Sequence, residues 1–156
     1  MPDSANVGLA GQAAVMSEFA FRGYNVAIPE IDKGDDVFVV RHDTGKMWRM
    51  QVKTAQGKKQ YNKIYFSFRV KESAIHAPSA VADYFIFVMR QGLQWRFAII
   101  ATAVLSNYVT GHSVGTEYEG FRNFNFIFDP KLKTFACSGQ NMTHHMEDWA
   151  VWPEIE

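Results

Sequence analysis

The fold is decided by two neighbouring stretches, GDDVFVV at residues 34–40 and QVKT at residues 51–54. The apolar run at 37–40 predicts one strand, and residues 47–54 predict a second. Between them, Asp43-Thr44-Gly45-Lys46 supplies turn residues. We therefore expect the two strands to pair as an antiparallel hairpin.

Three polar side chains, Asp36, Gln51 and Lys53, are placed to meet on this hairpin. Side chains alternate along a strand, so Gln51 and Lys53 share one face, and the hairpin register can bring Asp36 beside them. Carboxylate and amide oxygens can bind Mg²⁺ or Mn²⁺, while an ammonium can orient a water or neutralise a phosphate. We predict Asp36 and Gln51 as metal ligands and all three residues as catalytic groups. Singly, each could be an ordinary turn, hairpin-surface or edge-strand residue.

A helix is predicted immediately before this hairpin, over residues 8–22. Its apolar residues Leu9, Val15, Met16 and Phe19 recur at helical spacing, and Gly23 is a typical left-handed stop. The motif residues that frame the helix and lead into the first strand are Gly8, Gly11, Gln12, Arg22-Gly23-Tyr24, Val26, Pro29 and Asp36.

This combination resembles the PD-(D/E)XK nuclease superfamily, in the subgroup where Gln-Val-Lys-Thr replaces the usual Glu-X-Lys. It is also similar to archaeal Holliday-junction resolvases, and the resemblance covers roughly residues 8–90. The resemblance implies a restriction-endonuclease-like core, Mg²⁺-dependent phosphodiester hydrolysis and DNA as the substrate. In many relatives a glutamate on the first helix joins the metal site, and Gln12 stands at that position here. The resemblance therefore adds Gln12 to the candidate catalytic residues, although Gln12 could instead form a hydrogen bond within the core. The carboxylates near the site are then Asp36 and, in the preceding loop, Asp35, Asp32 or Glu30.

Charge is distributed unevenly, although the 16 basic and 16 acidic residues leave no net charge. Residues 41–72 hold nine basic and two acidic residues, a net charge of +7. A local positive field of this kind attracts phosphate. We therefore predict a nucleic-acid surface in which a lysine-rich loop at 56–62 and the strand after it supply Lys58, Lys59, Lys63, Arg69 and Lys71. A solvated surface would explain these charges almost as well.

The rest of the chain predicts a mixed α/β fold, with a central mixed β-sheet flanked by helices. We expect one domain over residues 1–156, with further strands and a helix after residue 91. Further strands are predicted at 24–28, 63–70, 83–89, 95–100, 123–128 and 134–137, and further helices at 73–81, 102–108 and 143–151.

Composition excludes several classes of protein. With 156 residues, 47% of them hydrophobic, the chain has the make-up of a folded globular domain. The apolar run at 97–101 is too short to span a membrane, and the single cysteine, Cys137, fits a reducing cytoplasm. Zinc binding by Cys137 and the adjacent His144 and His145 is disfavoured, because neighbouring side chains on a helix diverge by about 100°.

Two classes of function remain open at this point. The first is a metal-dependent DNA endonuclease, expected to act as a homodimer so that both strands of a duplex are served. The second is a degenerate module that binds nucleic acid or a protein partner without cutting. A second inward-facing acid near Asp36 would favour the enzyme. An unrelated α/β domain is the remaining alternative.

Overall fold

The structure is a computed structural model that describes residues 2–147 and residue 149. Helix α1 spans Ser4–Phe21 and helix α2 spans Thr102–His112. Short 3₁₀ turns lie at Glu72–Ala74 and Thr143–His145. The strands are β1 Asn25–Ala27, β2 Val37–Val40, β3 Met47–Gln56, β4 Lys58–Gln60, β5 Lys63–Lys71, β6 Tyr84–Gln91, β7 Gln94–Ala101, β8 Thr116–Tyr118, β9 Phe121–Asp129, β10 Thr134–Cys137 and β11 Gln140–Asn141.

The first sheet has the strand order β1-β2-β3-β6-β7. Its central pair, β3 and β6, runs parallel, and the other neighbouring pairs are antiparallel. The predicted β2–β3 hairpin is confirmed, with Val37 opposite Met50 and Val40 opposite Met47. A mixed sheet of this kind agrees with the expected fold class.

The second sheet has the order β11-β10-β9-β5-β4, and β8 also pairs with β9. Along β5 the even-numbered residues Phe66, Phe68 and Val70 are buried, whereas Ser67 and Arg69 are exposed. This alternation with period two gives the sheet one face toward the core and one toward solvent.

Two apolar clusters hold three layers together. Val15 and Phe19 of α1 pack on one face of the first sheet, in a cluster with Met50 and Ile86. The other face packs against the second sheet and α2 in a cluster rich in phenylalanine, including Phe85, Phe87, Phe66, Phe68, Phe124, Phe126 and Leu105. Leu9, near the start of α1, is 63% exposed, so only the later turns of the helix face the core.

Gly57 carries the chain from the first sheet into the second. Its N–H donates to the Arg90 carbonyl across 2.8 Å. A side chain at this position would overlap Gln91, Ile64 and Phe66, so only glycine fits the close packing. The strand that carries Gln51 and Lys53 therefore continues directly into the β4–β5 hairpin.

Three predicted elements differ from the structure. Residues 58–60 form strand β4 rather than part of a loop, because β5 supplies the hydrogen-bonding partner that the polar sequence does not reveal. The helix expected at 73–81 is reduced to the 3₁₀ turn Glu72–Ala74, since Pro78 has no N–H to continue a helix. The helix expected at 143–151 is a 3₁₀ turn at Thr143–His145; Asp148 and residues 150–151 lie outside the described residues.

Among the residues that the structure describes, no helix combines the length and apolar character needed to cross a membrane.

Candidate active site

Asp36 is fixed at the point where β2 begins. Its N–H donates to the Met50 carbonyl across 2.7 Å, which extends the hairpin by one residue beyond the Val37–Met50 pair. Its carboxylate oxygen Oδ2 accepts the Val52 N–H across 2.7 Å and the Gln51 amide Nε2 across 3.0 Å. The carboxylate thus accepts the Val52 N–H in place of a backbone carbonyl of β2. The Val52 N–H and the Gln51 amide both donate to the same carboxylate oxygen.

The other carboxylate oxygen of Asp36, Oδ1, has no hydrogen-bond partner among the described residues. Burial raises the pKa of Asp36, and the nearby Asp32 and Asp35 carboxylates add to that effect. The Val52 N–H and the Lys53 ammonium act in the opposite direction. The site therefore holds a partly desolvated carboxylate with one oxygen available to a ligand.

Gln51 is only 7% exposed, and its two ends have different roles. While its Nε2 donates to Asp36, its Oε1 lies 3.9 Å from the point where a side chain on Gly34 would begin. That oxygen accepts no hydrogen bond from the described residues. Gln51 therefore presents an acceptor toward the loop that precedes β2.

A cavity of about 170 Å³ lies beside these groups, between the first sheet and the end of β5. The first sheet contributes Gln51 and Lys53, and the Lys53 ammonium has no hydrogen-bond or ion-pair partner among the described residues. The remaining wall consists of Asp32, Gly34, Arg69, Val70, Lys71, Ala74 and Phe121. Two of the five predicted nucleic-acid residues, Arg69 and Lys71, thus line the same cavity as two of the predicted catalytic residues.

Gln12 reaches the site by a different contact. Its Nε2 donates to the backbone carbonyl of Asp36 across 2.7 Å, and Gln12 is not among the residues that line the cavity. Gln12 therefore supports the backbone of Asp36 rather than its carboxylate.

Of the loop acids, Asp35 and Asp32 differ in availability. Asp35 is 1% exposed and its Oδ2 binds Arg49 Nε across 2.8 Å, so it is committed to an ion pair with a partly exposed arginine. Asp32 lines the cavity, and its Oδ1 caps the Gly34 N–H across 2.9 Å. The sequence reasoning missed Arg49, although Arg49 lies two residues before Gln51 on the same strand face and alternation alone could have placed it there.

The three lysines of the β4–β5 hairpin, Lys58, Lys59 and Lys63, separate by strand register. Lys58 stands opposite Tyr65, and Lys63 stands opposite Gln60, so Lys58 and Lys63 share the solvent-facing side with Arg69 and Lys71. Lys59 stands opposite Ile64 and so lies on the other side of the hairpin.

The donor set suits a hard cation by type. Asp36 Oδ1, Gln51 Oε1 and the Asp32 carboxylate are all oxygen donors, which Mg²⁺ and Mn²⁺ prefer. The described part of the chain contains no group of three or more His, Cys, Asp or Glu side chains arranged to hold a metal. Any cation here would therefore depend on one or two carboxylates and the Gln51 amide, with water and substrate completing its shell.

Comparisons with known proteins support the fold. No family model and no curated protein sequence matches the chain. Among solved structures, the chain is similar to a bacterial homing endonuclease, I-Ssp6803I, with a TM-score of 0.52 and 14% sequence identity over 79% of this chain and 75% of that one. The chain therefore has an endonuclease-like fold, and at this level of identity the likeness concerns the fold alone.

Proposed function

We propose that the protein is a metal-dependent DNA endonuclease of the PD-(D/E)XK type, with its active site at the cavity beside Asp36. The observation that carries the proposal is the 3.0 Å hydrogen bond between Asp36 and Gln51, because Gln51 lines a cavity together with Lys53, Arg69 and Lys71 and so links Asp36, which is not in the lining, to that cavity. A polar, partly desolvated pocket with cations at its rim suits a phosphodiester group. The endonuclease-like fold agrees with this chemistry.

Each residue has a distinct role in this proposal. Asp36 Oδ1 and Gln51 Oε1 would hold Mg²⁺ or Mn²⁺, with Asp32 as a further carboxylate. A divalent cation bound here would lower the pKa of a water molecule that it coordinates and would neutralise negative charge on the phosphate. Lys53 orients the attacking water and stabilises the negative charge that develops on the phosphate. Arg69 and Lys71 bind phosphates of the DNA backbone, and Gln12 keeps Asp36 in position through its carbonyl.

Cleavage assays test the proposal on supercoiled, linear and branched DNA with Mg²⁺ or Mn²⁺. Asp36→Ala and Lys53→Ala should each abolish cleavage without loss of folding. The matched controls are Asp43→Ala, in the turn at the other end of the same hairpin, and Lys131→Ala, an exposed lysine in the β9–β10 turn; both should cut like the wild type. Cleavage that survives the Asp36 and Lys53 changes would show that the activity comes from elsewhere.

A specific observation favours the second candidate, a module that binds nucleic acid without cutting. Asp35 is committed to Arg49, and the first helix offers Gln12 in place of an acid, so the carboxylates at the cavity are few. DNA binding that depends on Lys58, Lys63, Arg69 and Lys71 but produces no cleavage with either metal would support the binding module and contradict the enzyme.

The homodimer also belongs to the proposal. A single cavity serves one strand, so cutting a duplex calls for a second copy. The mass of the protein in solution, measured by light scattering with and without DNA, decides between one copy and two.

A further inference from the structure

The solvent-facing side of the second sheet carries a regular set of polar and basic side chains, which we call the outer face. Along β5 the odd-numbered residues belong to it, and β9 contributes the residues paired with them. Lys63, Ser67, Arg69, Lys71 and Asn125 are all exposed. The outer face consists of Lys58, Lys63, Tyr65, Ser67, Arg69, Lys71, Phe121, Asn123, Asn125 and Ile127.

The charge of the outer face is strongly one-sided. Four cations, Lys58, Lys63, Arg69 and Lys71, lie along it. The acid that β9 contributes, Asp129, stands at the far end of that strand and accepts hydrogen bonds from its own turn, at Lys131 N and Leu132 N; at the other end of the row, Asp32 shares the cavity lining with Arg69 and Lys71. The distance from Lys63 to Lys71 is about 27 Å at the usual rise of about 3.4 Å per residue. Such a row of cations is complementary to the phosphates of a nucleic-acid duplex.

Ser67 and Asn125 form a preorganised pair in the middle of this row. They stand directly opposite each other in the β5–β9 register, and the Ser67 hydroxyl donates to Asn125 Oδ1 across 2.7 Å. This bond fixes the orientation of the exposed amide, whose Nδ2 has no partner among the described residues. The amide therefore keeps two N–H donors, and a remaining acceptor lone pair, directed to solvent.

The sheet is narrowest at this pair. Strand β4 pairs with β5 only as far as Tyr65. On the other side, β8 pairs with β9 up to Asn123 and β10 begins its pairing at Phe126, so neither pairs with residues 124–125. At Ser67–Asn125 and the next pair, Phe68–Phe124, the ladder is thus two strands wide, which is the width that the major groove of B-DNA admits. The sheet widens again to three strands at Arg69 and to four at Phe66.

We infer that the outer face enters the major groove of duplex DNA and that Asn125, held by Ser67, reads the edge of an adenine. Asparagine matches adenine because its oxygen accepts from N6 while its amide donates to N7. Arg69 and Lys71 belong both to the outer face and to the cavity lining, so the duplex that Asn125 reads is the one whose backbone reaches the cavity. The inference rests on the proposed function, to which it adds the substrate form and a specificity-determining residue.

The test is selection from a pool of random duplex DNA by the full-length protein, in the Lys53→Ala background so that bound DNA is not cut. The protein with an unaltered outer face should enrich a DNA sequence motif. Asn125→Ala should lower the preference for adenine at one position of that motif by about tenfold or more. Ser67→Ala should weaken the preference at that same position. Asn107→Ala, at an exposed site on α2, is the matched control and should enrich the unaltered motif.

The dependence of binding on salt concentration distinguishes recognition of the base by Asn125 from nonspecific electrostatic attraction to the DNA backbone. Asn125→Ala removes no charge, so the slope of log K against log[salt] should stay unchanged while the sequence preference falls. An Asn125→Ala protein that enriches the wild-type motif would overturn the inference, as would equal affinity for double-stranded RNA, whose major groove is too narrow for a sheet.

Failure of the inference is distinguishable from failure of the proposed function. A protein that cuts DNA in an Asp36-dependent way but enriches no motif refutes the reading by Asn125 and leaves the endonuclease standing. A folded protein that neither cuts nor binds DNA refutes both.

Discussion

The amide of Gln51 donates across 3.0 Å to the carboxylate of Asp36, the residue immediately before the neighbouring strand β2. In this pair the nitrogen of Gln51 is used by the protein and its oxygen remains for a ligand. An acid at position 51 would lack the donor, and two carboxylates would then face each other in a partly buried site. The glutamine thus lets the site exist without a bound cation.

The first prediction concerns Gln51→Glu. Loss of the donor and the new like-charge contact should lower the free energy of unfolding by about 1–3 kcal/mol at neutral pH. Addition of Mg²⁺ should restore a large part of this loss, because a cation between the carboxylates relieves their repulsion. Urea unfolding with and without Mg²⁺ measures both effects. Gln94→Glu, an exposed position on β7, is the control and should show neither effect.

The second prediction concerns pH and Asp36. Burial raises its pKa in the folded protein, so the folded state binds this proton more tightly than the unfolded chain does. The contribution of Asp36 to the free energy of unfolding should therefore decrease as pH rises from the ordinary aspartate pKa, about 3.9, through the raised value.

Asp36→Asn isolates this effect, since an amide does not titrate. The stability of the wild type relative to Asp36→Asn should fall across a series of urea unfolding curves from about pH 4 to about pH 7. Asp43→Asn, at a side chain that is 64% exposed, serves as the reference. A difference that rises with pH would contradict the assigned direction of the shift.

The third prediction compares two glycines of α1. A side chain on Gly11 would overlap Thr54 of β3, so Gly11→Ala should destabilise the protein by about 1–3 kcal/mol. A Cβ added at Gly8 would have no atoms within 4 Å. Gly8→Ala should therefore stabilise the protein by about 0.5–1 kcal/mol through helix propensity. Thermal melting of the two variants checks the opposite signs. Because Gln12 follows Gly11, displacement of the helix should also weaken the Gln12–Asp36 contact and lower any cleavage rate.

The fourth prediction separates the lysines of the β4–β5 hairpin. Lys58→Ala and Lys63→Ala should each make the slope of log K against log[salt] for duplex DNA shallower by about one unit. Lys59→Ala removes the same charge from the other side of the hairpin and should change the slope less. Fluorescence anisotropy at several salt concentrations measures all three, and equal slopes for the three variants would remove the outer face from the interface.

The candidate site was largely accessible to sequence reasoning because its geometry is local. Asp36 and Gln51 lie 15 residues apart on one hairpin, and the alternation of side chains places them together once the turn is recognised. The ion pair between Asp35 and Arg49 was missed, although it obeys the same periodicity. From the sequence Asp35 is a possible ligand, whereas in the structure its carboxylate is bound to Arg49.

The second sheet was not predictable in the same way. Ser67 and Asn125 are 58 residues apart, and nothing in either strand specifies the other as its partner. Strand β4 consists of Lys58, Lys59 and Gln60, which have no apolar alternation, so its structure depends on pairing with β5. The shared lining of the cavity by Lys53 and Arg69 follows from these long-range pairings and was not accessible from the sequence.

The glycine bend at residue 57 fixes one end of the β4–β5 hairpin, so the number of residues in the hairpin sets how far its tip extends. The bend fixes the base of this arm against β6, through the Gly57 N–H bond to the Arg90 carbonyl, while the turn residues Tyr61 and Asn62 at the other end are exposed. Lengthening each arm by two residues would move the tip about 7 Å farther along a duplex and keep every side chain on its original side. Lengthening each strand by one residue would place the side chains beyond the insertion on the opposite side of the hairpin. Under the proposed function, the length of duplex that the hairpin contacts would change in steps of two residues per strand, while the cavity lined by Gln51 and Lys53 would stay in place.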